Sequence, residues 1–138
     1  MTRMRKLTAC LIVFILQMAI FTACTEKNPP RDEIPRIKNT LERLSQAIKD
    51  RNREAIDSLL IVQALDLGYS SEKILDDVYP MTDSGTFYAF GSKSFMYTKD
   101  VGRVDCTIMA DSTDRGRPLE ITLVKLGEQW YVKRFDLK

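Results

Sequence analysis

The sequence predicts an α+β domain in which amphipathic helices come first and an antiparallel sheet of about four strands follows. Between residues 34 and 78, apolar residues recur every three or four positions, which is typical of helices with one buried face. After Pro80, apolar and polar residues alternate in runs separated by short turns, which favours an antiparallel meander. Helices followed by strands predict that the helices lie across one face of the sheet.

Three helices are predicted in the first half of the domain. The first begins near Asp32 or Glu33, because a proline such as Pro35 fits in the first turn of a helix but not in its interior. Its apolar stripe has the spacing of one helix face and consists of Ile34, Ile37, Leu41, Leu44 and Ile48. This stripe predicts that the helix packs against the sheet.

Capping residues place the two following helices. Asn52 is the predicted N-cap of the second helix, and Gly68 is placed to end it. The inward-facing residues of this helix are predicted to be Ile56, Leu59, Leu60 and Leu67. Ser70 caps the third helix at residues 71–78, and Pro80 closes it.

The strands are predicted to follow one another along the sheet. They are expected at residues 86–90, 103–110, 119–126 and 129–135. Residues 95–98 either continue the first strand or form a separate one after the break at Gly91 and Ser92. Turns or loops are expected at residues 99–102, 111–118 and 127–128. In the last strand, Trp130 alternates with Val132 and is predicted to lie in the core.

The first 24 residues predict an export signal that ends in a lipid-attachment site. Arg3, Arg5 and Lys6 precede an uncharged apolar run at residues 7–21, which is the order found in secretory signal peptides. The next residues, Phe-Thr-Ala-Cys at 21–24, resemble the lipobox of bacterial lipoproteins, with Phe where the usual pattern has Leu. In that family the cysteine thiol receives a diacylglyceryl group, the preceding peptide is removed, and the new amine is acylated, for example with palmitate.

This resemblance implies three regions. Residues 1–23 are a lipoprotein signal peptide, residues 24–33 are the lipidated Cys24 and a tether, and residues 34–138 are one α+β domain. An uncleaved membrane anchor is the alternative, because the 17 residues from 7 to 23 reach the short limit for a spanning helix. Cys10 also follows Leu-Thr-Ala, but only six residues precede that triplet, so no apolar run is available for export.

Removal of residues 1–23 changes the charge and the cysteine content. The full chain has 21 basic and 19 acidic residues, and the first 23 contain three of the basic and none of the acidic ones. The mature chain therefore has 18 basic and 19 acidic residues, and a formal charge of −1 instead of +2. This charge gives no electrostatic reason to bind nucleic acid. Cys106 is left as a lone thiol, which we expect to be a small buried hydrophobe.

The chain has no histidine, which excludes Ser-His-Asp and Cys-His catalysis and His-ligated zinc. Asp-Ser-Gly-Thr at 83–86 matches the aspartic protease signature, but a turn into the first strand explains the same residues. Ser-Ser-Glu-Lys at 70–73 fits a Ser-x-x-Lys motif and also a helix cap. Residues 111–116 resemble a calcium loop, but Thr113 and Arg115 occupy ligand positions, which favours a solvated loop. The sequence therefore predicts no metal or cofactor site.

A larger pattern carries a resemblance to a fold family. The helical stripe from Ile37 to Ile48, the connector at residues 50–56 and the final Gly-Glu-Gln-Trp-Tyr-Val-Lys-Arg-Phe hairpin at 127–135 resemble the nuclear transport factor 2-like (cystatin-like) superfamily, in particular its small bacterial lipoproteins. The resemblance implies a curved sheet around the helices, a pocket within that cone, and often a homodimer. Ketosteroid-isomerase-like relatives place an Asp and a Tyr in the pocket. The candidates for such roles here are Tyr69, Tyr79, Tyr88, Tyr97, Tyr131 and Asp105.

These observations predict a lipid-anchored protein of the bacterial envelope, facing the periplasm or the cell surface. Thr25, rather than Asp, follows Cys24, which favours the outer membrane. The predicted role is non-catalytic: binding of a small apolar ligand in the pocket, or of another envelope protein on the exposed sheet face. The alternatives are an enzyme that uses carboxylates and tyrosines, and a structural component of an envelope assembly.

Overall fold

Four helices precede four strands in the part of the chain that the computed structural model describes, residues 31–79 and 86–138. The helices are α1 (Ile34–Lys49), α2 (Arg53–Asp57), α3 (Val62–Asp66) and α4 (Ser71–Val78). The strands are β1 (Ala89–Tyr97), β2 (Val101–Met109), β3 (Arg117–Leu126) and β4 (Gln129–Leu137). They form one antiparallel sheet in the order β1-β2-β3-β4, which confirms the α+β class and the meander. The lipobox with Cys24, Cys10 and the Asp-Ser-Gly motif at 83–85 lie outside the described residues.

Helix α1 forms where the apolar stripe predicts it. Pro35 lies in its first turn, where a proline removes no hydrogen bond from the helix. The buried face of α1 consists of Ile37, Thr40, Leu41, Leu44, Ala47 and Ile48. The helix contacts both outer strands of the sheet, β1 and β4, so it crosses the sheet and covers its inner face.

The predicted second helix is wrong in one respect, because it is two short helices. Between α2 and α3 the backbone leaves the helix and pairs with the edge of β4: the Val132 amide donates to the Leu59 carbonyl at 2.8 Å, and the Ile61 amide donates to the Val132 carbonyl at 2.9 Å. These bonds satisfy backbone groups that a continuous helix would use internally. The helix that resumes after the break turns Ala64 inward, and Leu67, predicted to be buried, is 51% exposed.

The predicted caps and the helix at residues 71–78 are confirmed. The Asn52 side chain accepts a hydrogen bond from the Ala55 amide at 3.0 Å, and the Ser70 hydroxyl accepts one from the Lys73 amide at 3.2 Å. Each cap satisfies one of the free amides at the start of a helix. The Ser-x-x-Lys motif is therefore a helix N-terminus in this structure.

The first hairpin differs from the prediction at both ends. Residues 86–88 precede the strand, although the Tyr88 amide donates to the Met109 carbonyl at 2.7 Å, and residues 95–97 continue the same strand, so β1 is a single strand. Its pairing with β2 shifts between Gly91 and Ser94, where Ser92 has a left-handed φ of 46°. Such a bulge inserts unpaired residues and bends the strand. Strand β2 begins at Val101 rather than at residue 103, because residues 97 and 102 pair directly and shorten the turn.

One face of the sheet and the helices share a single core. The inward-facing strand residues are Phe90, Val104, Cys106, Ile108, Leu119, Ile121, Leu123, Trp130, Val132 and Phe135. Trp130 and Cys106 are buried, as predicted. Gly102 leaves room for the tryptophan: a Cβ atom there would lie 3.3 Å from Trp130 Cζ3 and 3.4 Å from Ile37 Cδ1. The opposite face of the sheet carries most of the charged strand residues and is not covered by any described helix.

Candidate functional site

A groove between α1 and the edge strand β1 is the candidate site. Its cavity volume is about 480 Å³. The residues that line it, here called the lysine groove, are Lys38, Leu41, Glu42, Ser45, Gln46, Lys49, Ala89, Phe90 and Lys93. Leu41 and Phe90 are buried core residues, so the floor of the groove is apolar. The charged members stand at its exposed rim.

The sequence positions these residues by helical and strand geometry together. On α1, Lys38, Glu42, Ser45 and Lys49 recur at spacings of three and four, and they flank the buried stripe. On β1, Lys93 lies in the bulge next to Ser92. Two distant segments therefore supply the three lysines of the rim.

None of the three lysines forms a salt bridge with a described residue. The Lys38 ammonium instead lies 5.6 Å from the centre of the Phe95 ring, and the Lys49 ammonium lies 5.7 Å from the centre of the Tyr88 ring. Cation–π contacts at exposed sites contribute about 0.5–1 kcal/mol each and leave the ammonium hydrogens free to donate. Glu42 is the single acidic residue in the lining, so the groove has a net positive charge.

Protection of the sheet edge against pairing with other chains is an alternative explanation for these lysines. Strand β1 has a free edge in the described sheet, and such edges can pair with other chains. A bulge and a lysine on the edge oppose that pairing. This role accounts for Lys93 in the bulge but not for Lys38 and Lys49, which lie on the helix.

The other two grooves have a different charge pattern. A cavity of about 490 Å³ between α2, α3 and α4 is lined by one basic residue, Arg53, by two acidic residues, Asp57 and Glu72, and by exposed apolar residues of α3. A cavity of about 330 Å³ near the β3–β4 turn contains Arg36 and Glu128, which form a salt bridge with each other. In both, acidic and basic groups compensate more fully than in the lysine groove.

A buried ionic cluster holds the start of α1 to the end of the sheet. The Glu33 carboxylate accepts hydrogen bonds from Lys125 Nζ at 2.8 Å and from Trp130 Nε1 at 2.9 Å. These three residues are called the Glu33 cluster. The hydrogen bond from Lys125, followed by that from Trp130, lowers the pKa of Glu33 below its ordinary value. Because this carboxylate has both partners in place, the cluster is fully paired and serves the fold.

The tyrosines do not converge on one pocket. The Tyr69 hydroxyl donates to the Asp136 carboxylate, and the Tyr79 hydroxyl donates to the Ile48 carbonyl at 3.0 Å. Burial, followed by the hydrogen bond to Asp136, raises the pKa of Tyr69. The Tyr131 hydroxyl donates to the Gln129 side chain. Tyr88 and Tyr97 are exposed.

Asp105 lies on the outer face of the sheet, away from the core. Its carboxylate accepts hydrogen bonds from the neighbouring Arg103 guanidinium at 3.1–3.3 Å. The Asp and Tyr pair expected of a ketosteroid-isomerase-like site is therefore not assembled among these residues.

The remaining sequence candidates have structural roles. Burial raises the pKa of the Cys106 thiol to about 12, so this cysteine is not activated as a nucleophile. In the loop after β2, Asp111 accepts from the amides of Thr113 and Asp114, and Asp114 accepts from those of Ala110 and Gly116. The hydrogen bond from the Thr113 hydroxyl, followed by that from the Thr113 amide, lowers the pKa of Asp111, and the bonds from the Ala110 and Gly116 amides lower the pKa of Asp114. Oδ1 of Asp111 and both oxygens of Asp114 are therefore used within the loop. No group of three His, Cys, Asp or Glu side chains in residues 31–79 and 86–138 is placed to hold a metal ion.

Comparisons with known proteins do not assign a family. No protein-family model matches the chain, and no curated protein sequence matches it. Within the described part of the chain, no helix has both the length and the apolar character to cross a membrane.

The lysine groove is the feature that sequence reasoning missed. Lys38 and Lys49 are visible as polar neighbours of the apolar stripe, but charged residues on an exposed helix face are ordinary. The sequence does not indicate that Lys93 lies beside these two residues. Lys93 reaches the groove only because β1 lies beside α1 and contains a bulge. A pairing between distant segments leaves no periodic signal in the sequence.

Proposed function

We propose that this chain is a lipid-anchored protein of the bacterial envelope whose domain binds a small amphipathic anion in the lysine groove, without catalysing a reaction. The observation that carries this proposal is the set of three lysines around an apolar floor, none of which has a carboxylate partner among the described residues. The groove volume of about 480 Å³ falls within the range of small-molecule sites, about 300–1,000 Å³.

The chemistry of the groove favours an acyl or aromatic body with a carboxylate or phosphate head. The body of the ligand would lie on a narrow apolar floor formed by the edges of Leu41 and Phe90, which are 1% and 4% exposed, and by half-buried Ala89. Lys38, Lys49 and Lys93 supply ammonium donors for the head, as point charges that tolerate several head geometries. The separate hydrogen bonds of the buried tyrosines support binding rather than catalysis.

The anchor is supported by the sequence alone. The basic start, the apolar run at 7–21 and the lipobox-like end at Cys24 together favour lipid attachment, and Thr25 favours the outer membrane. We place the domain in the nuclear transport factor 2-like class by that resemblance. Helices packed on a four-stranded antiparallel sheet and the Gly127-to-Trp130 turn support this placement.

Cell fractionation tests the anchor with a matched pair of cysteine variants. We expect Cys24→Ser to leave the membrane fraction or to be retained unprocessed, and Cys10→Ser to behave like the natural protein. Globomycin, which blocks the lipoprotein signal peptidase, should cause the full-length chain to accumulate. If Cys24→Ser is processed and fractionates like the natural protein, lipid attachment at this residue is wrong.

Ligand titration tests the groove. Residues 25–138 are purified without the anchor, and palmitate binding is followed by competition with a fluorescent fatty acid. We expect the double variant Lys38→Glu/Lys93→Glu to bind at least about tenfold more weakly, which corresponds to about 1.4 kcal/mol. Lys99→Glu makes one Lys-to-Glu change of the same kind at an exposed turn outside the groove and should bind like the natural sequence. Equal binding by all three proteins would contradict the groove as the site.

A further inference from the structure

The outer face of the sheet has an exposed apolar area at one end. Met96 is 54% exposed, Val101 48% and Leu126 53%, and all three side chains lie on the face that no described helix covers. Val124 and Tyr131, on the same face, are half-buried. These five residues are called the apolar end patch.

The register of the strands makes this patch continuous. Val101 pairs with Val124, and Val124 pairs with Tyr131, so the three side chains form a row across β2, β3 and β4. Leu126 is the next outward residue of β3, and Met96 lies diagonally from Val101 across the first hairpin. A continuous apolar patch on an exposed sheet face is typical of a surface that contacts a membrane, a ligand or another protein.

The rest of this face is charged. Arg103 forms salt bridges with Asp105 at 3.1 Å and with Glu120 at 3.0 Å, and Lys138 forms one with Glu120 at 3.1 Å. Arg134 pairs with Asp136 at 3.2 Å. Along the strands, the outer face therefore has an apolar end and a charged remainder, so its two ends differ in polarity.

The apolar end is also the end at which the chain enters the domain. Glu33, the residue before α1, is held there by Lys125 and Trp130, next to the β3–β4 turn. The β1–β2 turn lies at the same end, because the Lys125 amide donates to the Asp100 carbonyl at 2.8 Å. Both hairpin turns and the first residue of the domain therefore share one end.

Chain length then limits how far this end can lie from an anchored lipid. Glu33 follows Cys24 by nine residue-to-residue steps, each of at most about 3.3–3.6 Å, so the reach is about 30 Å. A strand of nine residues such as β2 is itself about 30 Å long. The opposite end of the sheet is therefore the distant one in a lipid-anchored chain.

We infer that the apolar end patch docks on the lipid surface to which Cys24 is anchored. Leu126 and Val101 enter the headgroup region with their apolar side chains, and the Tyr131 ring lies at its boundary, where amphipathic aromatics are favoured. The docked domain directs the loop at residues 111–116 away from the bilayer. The inference rests on the proposed lipid anchor.

Site-directed spin labelling tests it on the full, lipidated chain. The protein is purified from bacterial membranes and reconstituted in vesicles of phosphatidylethanolamine and phosphatidylglycerol. A nitroxide is attached at Leu126→Cys, with Ser112→Cys in the exposed loop after β2 as the matched control. Cys106 is buried and Cys24 carries the lipid, so neither competes for the label. Collisions with oxygen, which dissolves in lipid, and with a water-soluble nickel chelate report the depth of each label.

We expect the ratio of oxygen to nickel collisions to be at least about fivefold higher at position 126 than at position 112. Equal ratios, both typical of water, on vesicle-bound protein would overturn the docking while leaving the anchor in place. Spin–spin broadening between labels at position 126 would also overturn it, because a second copy would then cover the patch. Failure of the protein to float with the vesicles would refute the anchor itself, and with it this inference. Leu126→Glu should release the patch without loss of flotation.

Discussion

Helix α1 borders two charged sites that differ in their burial and in whether their charged groups are paired. In the Glu33 cluster, a buried carboxylate accepts hydrogen bonds from a half-buried ammonium and from a buried indole N–H. In the lysine groove, three ammonium groups are exposed and none has a carboxylate partner among the described residues. The first site fixes where the helix begins on the sheet. The second leaves charge available for a ligand.

Burial and pairing together separate structural charge from functional charge in this domain. A buried charge is tolerated only when its hydrogen bonds are complete, because burial without partners is costly. Removal of a partner in the Glu33 cluster should therefore affect stability. An exposed lysine over an aromatic ring is tolerated without a partner, and its removal should affect binding only.

The largest expected effect on stability is that of Trp130→Ala. The indole is buried beside Gly102 and donates to Glu33, so its loss leaves a cavity and an incompletely paired carboxylate. We expect a loss of about 3–5 kcal/mol in the free energy of unfolding. Urea denaturation followed by circular dichroism measures it. Tyr131→Ala, on the outer face, is the control and should cost much less.

Gly102→Val tests the packing of the same indole from the other side. A Cβ at position 102 meets the Trp130 ring at 3.3 Å, and the larger valine must displace the ring from its bond with Glu33. We expect a loss of about 1–3 kcal/mol, the usual cost of overpacking. Thr122→Val, on the outward face of the neighbouring strand, should change stability by less than about 0.5 kcal/mol. Equal effects would mean that Trp130 is not confined as described.

The pH dependence of stability distinguishes Glu33 from a groove carboxylate. The folded-state pKa of Glu33 is lowered, so its stabilising contribution is complete above the unfolded value of about 4.3 and is lost as the pH falls through the lowered folded value. Glu33→Gln should therefore lower the urea midpoint clearly at about pH 7, and its difference from the natural protein should shrink below about pH 4.

Glu42→Gln is the matched control for that experiment, because Glu42 is exposed at the rim of the groove and forms no described salt bridge. We expect its unfolding midpoint to follow that of the natural protein across the same pH range. A pH-independent difference for Glu33→Gln would show that the amide substitution acts through packing rather than through loss of the charge.

The smallest expected effect on stability is that of Lys38→Met. This side chain is exposed and makes only a cation–π contact with Phe95, so we expect a change within about 0.5 kcal/mol. Thermal or urea unfolding measures it. A loss above about 1 kcal/mol would mean that the lysines of the groove hold the helix to β1, and the distinction between the two sites would fail.

Much of the fold could be predicted from the sequence because the signals are local. The stripe of α1, the caps at Asn52 and Ser70 and the turn at Gly127 each depend on residues a few positions apart. The predicted burial of Leu67 was wrong because the backbone at residues 59–61 bonds to β4, which no local pattern indicates.

The candidate site was less accessible for the same reason. The lysine groove depends on the bulge that places Lys93 beside a helix that ends more than 40 residues earlier. The apolar end patch depends on the pairing of three strands, which brings Val101, Val124 and Tyr131 into one row. Cys24, by contrast, could be proposed only from the sequence, because it lies outside the described residues.

Native mass spectrometry of the mature protein, purified from bacterial membranes in a mild detergent, tests both the lipid anchor and anion binding in the lysine groove. We expect a chain that begins at Cys24 and carries the mass of a lipid anchor. A further non-covalent mass should be that of an amphipathic anion. The further mass should be absent from Lys38→Glu/Lys93→Glu and present in Lys99→Glu. A mature chain without the lipid mass would contradict the anchor at Cys24. The same bound mass in all three proteins would contradict the lysine groove as the binding site.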